Sequence, residues 1–308
     1  MLLVAMAVFS AWAQKPGPTP AAGSDLLGRR SFFSAALGRE MPYSVILPAG
    51  YGKSQQRYAA LYLLHGWQGD ETNWINLTHL VQDVAGYPLI LVMPRAENSW
   101  YVNSATNPAD RYADYIAQDL IADVDEHYRT IAAPHERAIA GLSMGGYGAL
   151  LLTLKHPGSF GFAGSISGAF AGPSGVEEVL PQLRPSTEQA YGAAGSATRK
   201  ENDVDALIAT AQAAAVPYLF LECGTSDPLL SSNRRVVSEL SANKLAYEYH
   251  ELPGAHTWSF WDNALPLLLH VLAEHLTLPS TSPAAPQPSR ERVGARRKDP
   301  NHAIPPRP

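Results

Sequence analysis

A chain of 308 residues with 46% hydrophobic content is long enough to bury one large core, and a single main domain is the expectation. Its 23 Lys and Arg against 28 Asp and Glu give a formal net charge of -5, with no basic stripe interleaved with aromatics in the body of the chain, which argues against nucleic acid as a partner. The single cysteine, Cys223, excludes an intramolecular disulfide and a multi-cysteine zinc site, and in the apolar run PYLFLECG it reads as a small buried hydrophobe.

The chain begins with MLLVAMAVFSAWA, residues 1–13, an apolar stretch too short to span a bilayer that ends in the small-x-small triplet Ala11-Trp12-Ala13. This is the pattern of a secretory signal cleaved before Gln14, although no Lys or Arg precedes it. A linker over 14–29, a secreted or periplasmic destination and no stable membrane insertion are therefore expected. SFFSAAL and MPYSVILP, separated by Gly38-Arg39-Glu40, read as an antiparallel hairpin. YAALYLLHG, PLILVMP, ERAIAG, FAGSISG, VPYLFLECG and AYEYHELPG follow as strands, most of them ending in Gly or Pro. Between them lie helical patterns: YADYIAQDLIADVDEHY sets Tyr115, Leu120, Ile121 and Val124 on one face, and NALPLLLHVLAEHL does the same near the end. Strands alternating with helices predict βαβ units in a mainly parallel central sheet flanked by helices on both faces, an α/β fold over 30–278.

One region breaks this rhythm. Residues 171–215 are polar and Ala/Gly-rich, with a helix expected around Val204–Ala213, and read as a small cap inserted on the ligand edge of the sheet. Residues 279–308 are rich in Pro, Ser and Arg without apolar periodicity, and read as a disordered, solvated tail. The tail holds six Lys and Arg and two acids, which leaves 17 basic and 26 acidic residues elsewhere.

The stretch AIAGLSMGGYGALL carries the chemistry. RAIA is a strand, GLSMG a turn and GYGALLLTLKH a helix, so Gly141-Leu142-Ser143-Met144-Gly145 matches G-x-S-x-G in the strand-turn-helix context that this motif needs. Side chains at 141 and 145 would collide with the adjoining strand and helix. Serine is a poor nucleophile unless a base takes its proton, and that base needs a partner to hold its tautomer. Downstream, FLECGTSDPLL presents Asp227 in a turn after a strand, and ELPGAHTWSFW presents His256 after the next. His250, inside a strand pattern, and His270 and His275, inside the last helix, are rivals with surface or core roles. Glu222, within a strand, and Asp262, at the start of the last helix, are alternative acids, with Asp227 preferred. Attack on an ester carbonyl also needs N–H donors for the developing anion. Met144, at the helix N-terminus directly after the serine, supplies one backbone N–H. Trp67, after Gly66 in LYLLHGWQGDETNW, is the candidate for the other, with His65 beside it shaping the loop.

Five blocks in order, LYLLHGWQGDETNW, NSWYVNSA, RAIAGLSMGGYGALLL, CGTSDPLL and GAHTWSFWDNALP, resemble the esterase D-like group of α/β-hydrolases. That group includes S-formylglutathione hydrolases, feruloyl and acetyl-xylan esterases and mycolyltransferases. The resemblance covers about residues 31–276 and implies an α/β-hydrolase fold with an eight-stranded type of sheet, a Ser143, Asp227, His256 triad, oxyanion donors at Trp67 and Met144, and neither cofactor nor metal. LLHG in place of the LLDG of mycolyltransferases makes acyl transfer to a sugar less favoured. Trp100, Tyr101, Trp258 and Trp261 are expected to gather with Trp67 as a substrate pocket, where aromatics would stack on a flat aryl or sugar group. The expected activity is ester hydrolysis through an acyl-enzyme, on a small-molecule or carbohydrate-linked ester of feruloyl, acetyl or short-chain type. The rivals are an acyltransferase that passes the acyl group to a sugar alcohol, an S-formylglutathione-type thioesterase, and a polysaccharide-binding module with a vestigial triad. Nothing in the sequence speaks to oligomeric state.

Overall fold

The computed structural model describes residues 26–276 and 278. The expected signal segment, most of the expected linker and the Pro/Arg-rich tail lie outside the described residues.

Eight strands form one sheet: β1 (Leu27–Ser34), β2 (Arg39–Ile46), β3 (Ala59–Leu64), β4 (Leu89–Pro94), β5 (Arg137–Leu142), β6 (Phe162–Ile166), β7 (Tyr218–Gly224) and β8 (Tyr247–Leu252). Their spatial order is β1-β2-β4-β3-β5-β6-β7-β8. The pairs β1–β2 and β2–β4 are antiparallel, and every pair from β4 to β8 is parallel. The mainly parallel sheet expected from the sequence is thus present. The carboxyl ends of β3 to β8 point to one edge, where their loops meet.

The central strands are apolar throughout because both faces are covered. Period-two alternation assigns the faces: along β3, Ala60, Tyr62 and Leu64 enter one core, while Ala59, Leu61 and Leu63 enter the other. The second core is closed by α1 (Asn73–Leu77), α2 (Leu80–Asp83) and, further along the chain, the last helix, Trp258–His275. The first core is closed by a helical stretch that runs through α3 (Tyr112–Asp114), a π-helical segment (Tyr115–Leu120) and α4 (Ile121–His127), and by α5 (Met144–Lys155). Burial pushes the Cys223 thiol up to about 12, in keeping with its place in the sheet as a small buried side chain.

Two boundaries differ from the sequence reading. β1 starts at Leu27, inside the expected linker, and pairs along its whole length with β2. The hairpin turn falls on residues 35–38, ending at Gly38 with φ 61, so Arg39 and Glu40 belong to β2 opposite Ser34 and Phe33. A left-handed residue closes the turn at low cost when it lacks a Cβ, and Gly38 alone of the three expected turn residues meets that need.

The insertion after β6 is more helical than expected. It contains α6 (Gly172–Val179), α7 (Arg184–Tyr191), α8 (Ala197–Glu201) and α9 (Val204–Thr210). A buried ion pair of 2.9 Å between Arg199 and Glu177 ties α8 to α6. The Tyr147 hydroxyl donates to the Asn202 carbonyl, and Lys155 Nζ donates to Asn202 Oδ1, both at 2.8 Å, which fastens the insertion to α5. After β7 come α10 (Leu230–Ala242) and, after β8, α11 (Trp258–His275). Among the described residues, no helix is long and apolar enough to cross a membrane.

Candidate active site

Ser143 sits between β5 and α5 at φ 53 and ψ -118, a conformation that side chains other than glycine rarely adopt. Its N–H donates to the Ile166 carbonyl, and its own carbonyl accepts from the N–H groups of Tyr147 and Ala169. The strained turn is therefore held by β6, by the loop that follows it and by the first turn of α5. Close approach of backbone explains the flanking glycines. A Cβ at Gly141 would lie 2.6 Å from the Gly145 carbonyl, and one at Gly145 would lie 2.5 Å from the Leu64 carbonyl oxygen. Two further glycines let α5 settle onto its neighbours, since a Cβ at Gly146 would meet Ser165 Oγ and one at Gly148 the Tyr101 ring.

The loops after β7 and β8 bring two more side chains to the serine. His256 Nε2 lies 2.9 Å from Ser143 Oγ, and His256 Nδ1 lies 2.9 Å from Asp227 Oδ2. With the Nδ1 proton donated to the carboxylate, Nε2 is left to accept from the serine hydroxyl. Burial by itself would raise the Asp227 carboxyl, but the hydrogen bond and charge of His256 and the Leu229 N–H outweigh it and hold it below the usual carboxylate range. The Trp261 ring packs edge-to-face with the imidazole, with centroids 4.9 Å apart.

Met144 is the first residue of α5, where a backbone N–H has no acceptor within the helix. Trp67 lies in the turn after β3 that is closed by the Gly69 N–H donating to the Gly66 carbonyl. His65 fixes this turn. Its Nδ1 is 2.7 Å from the Gly66 carbonyl, and its Nε2 accepts from the Ala96 N–H at 2.9 Å. Burial lowers His65 to about 4, so the ring stays neutral and can play both roles. The arrangement can pass a proton from a serine hydroxyl to an imidazole held by a carboxylate.

A family model named Esterase matches residues 34–270. The chain belongs to this esterase family. The likeness to the esterase D-like group, drawn from five separate sequence blocks, therefore holds, and with it the general serine-hydrolase chemistry of that fold family. An endo-1,4-beta-xylanase/feruloyl esterase of Xylanibacter ruminicola is 34% identical over 161 residues, which cover 48% of this chain and 22% of that protein. The chain thus spans about a fifth of that relative's length. An acetyl esterase of Caldicellulosiruptor saccharolyticus is 24% identical over 246 residues, covering 75% of this chain and 92% of its own. Among solved structures, the fluorophosphonate-binding serine hydrolase F of Staphylococcus aureus matches with a TM-score of 0.72 at 26% identity, covering 80% of this chain and 97% of that one.

In this chain, a small apolar cavity of about 60 Å³ opens at Ser143 and His256. Trp67, Trp100 and Met144 line it from the body of the fold, and Val176, Leu180 and Leu183 from the insertion. Of the four aromatics expected as a pocket, Trp100 lines this cavity. Tyr101 is fully buried beneath it, with its hydroxyl donating to the His65 carbonyl. Trp258 and Trp261 stack edge-to-face with each other, and Trp258 does so with Trp74, at the core on the other face of the sheet. The rival histidines are engaged elsewhere: His250 with Glu248, His270 with Glu274 and His275 against the Tyr218 ring. Asp262 is inside the first turns of α11, where it accepts from the N–H of His79 and meets its ring. The apolar insertion residues Val176, Leu180 and Leu183 were not found from the sequence, where they stand isolated in a polar stretch.

Glu222, the other alternative acid, is fully buried in β7 with neither carboxyl oxygen hydrogen-bonded. Burial raises it from 4.5 to about 7. The folded chain thus keeps this proton to higher pH than the unfolded chain, and stability falls as pH rises through that window. Glu222→Gln should remove the dependence. The variant is expected to gain on wild type as pH rises from about 5 to about 8, by on the order of 3 kcal/mol, read from urea midpoints at each pH.

Proposed function

We propose that the protein is a secreted or periplasmic serine carboxylesterase that hydrolyses esters of short acyl groups. The observation that carries this reading is the continuous hydrogen-bonded set Ser143, His256 and Asp227 at the mouth of a cavity of about 60 Å³. That volume is far below the several hundred Å³ of pockets that enclose drug-sized ligands, and it suits an acetyl or similar acyl group better than a feruloyl group. The apolar segment of residues 1–13 supports export.

Ser143 Oγ attacks the ester carbonyl while its proton passes to His256 Nε2, and Asp227 stabilises the imidazolium through Nδ1–H. The N–H groups of Trp67 and Met144 receive the oxyanion, assisted by the positive end of α5. Collapse of the tetrahedral adduct breaks the bond to the alcohol oxygen, which leaves with the proton from His256. Water then attacks the acyl-enzyme, gives its proton to His256 and releases the acid, and the proton returns to Ser143.

A fluorophosphonate should phosphonylate the purified protein once, with the added mass on the peptide that contains Ser143. A label on another residue, or none, contradicts the assignment. The insertion sets the acyl limit through Leu180 and Leu183. Leu180→Ala and Leu183→Ala should raise kcat/KM for hexanoyl over acetyl aryl esters by roughly tenfold or more, since single methylene groups already shift selectivity by this order. An unchanged ratio in both variants would place the limit elsewhere.

A further inference from the structure

The turn that carries Trp67 is strained, and it is held from outside. The Gly69 N–H donates to the Gly66 carbonyl at 3.0 Å, so residues 66–69 form a hydrogen-bonded β-turn. Gln68, its third residue, lies at φ 61 and Trp67 before it has negative φ, which makes the turn type II. That third position favours glycine, because a Cβ crowds the backbone in the left-handed region. The relaxed alternative is a type I turn, which turns over the peptide between Trp67 and Gln68 and returns Gln68 to negative φ.

The loop after β4 opposes this change. Asn98 Oδ1 accepts the Gln68 N–H at 2.7 Å, and that N–H belongs to the peptide that would turn over. In the type I form it would point away from Asn98. The start of the turn has buried supports of its own, since the Tyr101 hydroxyl donates to the His65 carbonyl at 2.8 Å and the Ala96 N–H to His65 Nε2 at 2.9 Å. Neither of these bonds touches the peptide after Trp67, whereas the bond to Asn98 does. The loop keeps a costly shape of its own while presenting that oxygen. Glu97, Trp100 and Tyr101 have φ of 50 to 57, and the Tyr101 N–H donates to Ser99 Oγ at 3.1 Å. The same loop lines a second concavity, of about 320 Å³, to which α7 contributes Gln189. Asn98 is exposed there, so shortening its side chain removes this hydrogen bond and little packing.

The orientation of the turn matters because of what Trp67 does. Its ring lines the cavity at Ser143, and its N–H receives the oxyanion in the mechanism above. A donor of this kind works within about 2.7–3.1 Å of the oxyanion. With the ends of the turn pinned, turning over the next peptide shifts the compensating rotations onto the bonds around Trp67, including the one that aims its N–H. We propose that Asn98 is a positioning residue for the oxyanion site: by accepting the Gln68 N–H it keeps the turn in its type II form and the Trp67 N–H aimed at the reacting carbonyl. This rests on the esterase reading above and adds to it the side chain on which the Trp67 donor depends.

The test compares wild type, Asn98→Ala, and Asn98→Ala combined with Gln68→Gly, on phenyl acetate. In Asn98→Ala kcat should fall about thirtyfold with KM within about twofold, a part of the roughly 100- to 1000-fold cost of losing an oxyanion donor outright. Affinity for a trifluoromethyl ketone, to which Ser143 Oγ adds to give a tetrahedral oxyanion, should fall by a similar factor. Glycine at 68 takes the left-handed form at no steric cost, so the double variant should recover at least about tenfold in kcat. A general structural defect would not be repaired by removing a second side chain, and loss of a substrate contact would raise KM instead. An unchanged kcat in Asn98→Ala, a loss confined to KM, or no recovery in the double variant overturns the proposal. The crystal structure of Asn98→Ala reads the turn without any turnover and should show Gln68 at negative φ. If wild type hydrolyses no ester while that peptide turns over in the variant, the esterase reading fails and the hold of Asn98 on the turn stands. Gln68 still in the left-handed region in Asn98→Ala overturns the proposal whatever the hydrolysis results.

Discussion

Ser143→Ala should abolish ester hydrolysis, with kcat falling by about five to six powers of ten, the scale set by nucleophile removal in other serine hydrolases. The strain at position 143 belongs to the backbone, and alanine bears it no less than serine, so the variant should melt within a few degrees of wild type. Its inactivity is then chemical. Loss of the hydroxyl leaves His256 Nε2 with no proton to accept at the attacking atom, while the N–H groups of Met144 and Trp67 remain. A residual rate above that of water is compatible with those donors and with binding. Hydrolysis of an acetyl aryl ester within about tenfold of wild type would remove Ser143 from the role given to it.

Asp227→Asn should cost about four powers of ten in kcat with little change in KM. The reason lies in the proton inventory. The carboxylate accepts the Nδ1 proton of His256 at 2.9 Å and accepts the Leu229 N–H at 2.8 Å, and as a pure acceptor it leaves the imidazole a single useful tautomer. An asparagine amide can turn an N–H toward Nδ1 and favour the tautomer with its proton on Nε2, which cannot take a proton from Ser143. The variant should keep His256 in place and still be labelled by a fluorophosphonate, only far more slowly. A drop of less than about tenfold would mean that another acid orients the imidazole, and with Glu222 fully buried and Asp262 engaged by His79, neither sequence rival is placed to do so.

The parts of this molecule that were legible in the sequence are those where one physical demand dominates. Strands β3 to β7 show because a sheet covered on both faces needs largely apolar runs, and each such run ends where the chain must turn. Ser143, Asp227 and His256 show because each follows a strand of the parallel set, and parallel strands deliver their following loops to one edge. The insertion was harder to read. Gly175 at φ 121 breaks the helical path of α6, α7 buries Ser186 and Thr187 beside Ala190 and Tyr191, and α8 buries Arg199, so no apolar periodicity marks these helices. Only α9, with Val204 and Ile208 four residues apart and both buried, carries the usual stripe. The aromatics failed for a different reason. Trp258 and Trp261 sit two and five residues beyond His256, but α11 begins at Trp258 rather than further on, and its apolar face turns them under the sheet. Nearness along the chain says little about which side of a sheet a ring will occupy. The extent of β1 and the turn at Gly38 were obscured because alternating burial in an edge hairpin gives a weak apolar signal.

The insertion between β6 and β7 forms a wall of both concavities, giving Leu180 and Leu183 to one and Gln189 to the other, whereas Ser143, His256 and Asp227 stand on loops of the sheet itself. Heritable change can therefore act on the two parts separately. A lineage that exchanges or trims these forty-odd residues would reshape both concavities in one step, while the loops that carry Ser143, His256 and Asp227 stayed in place.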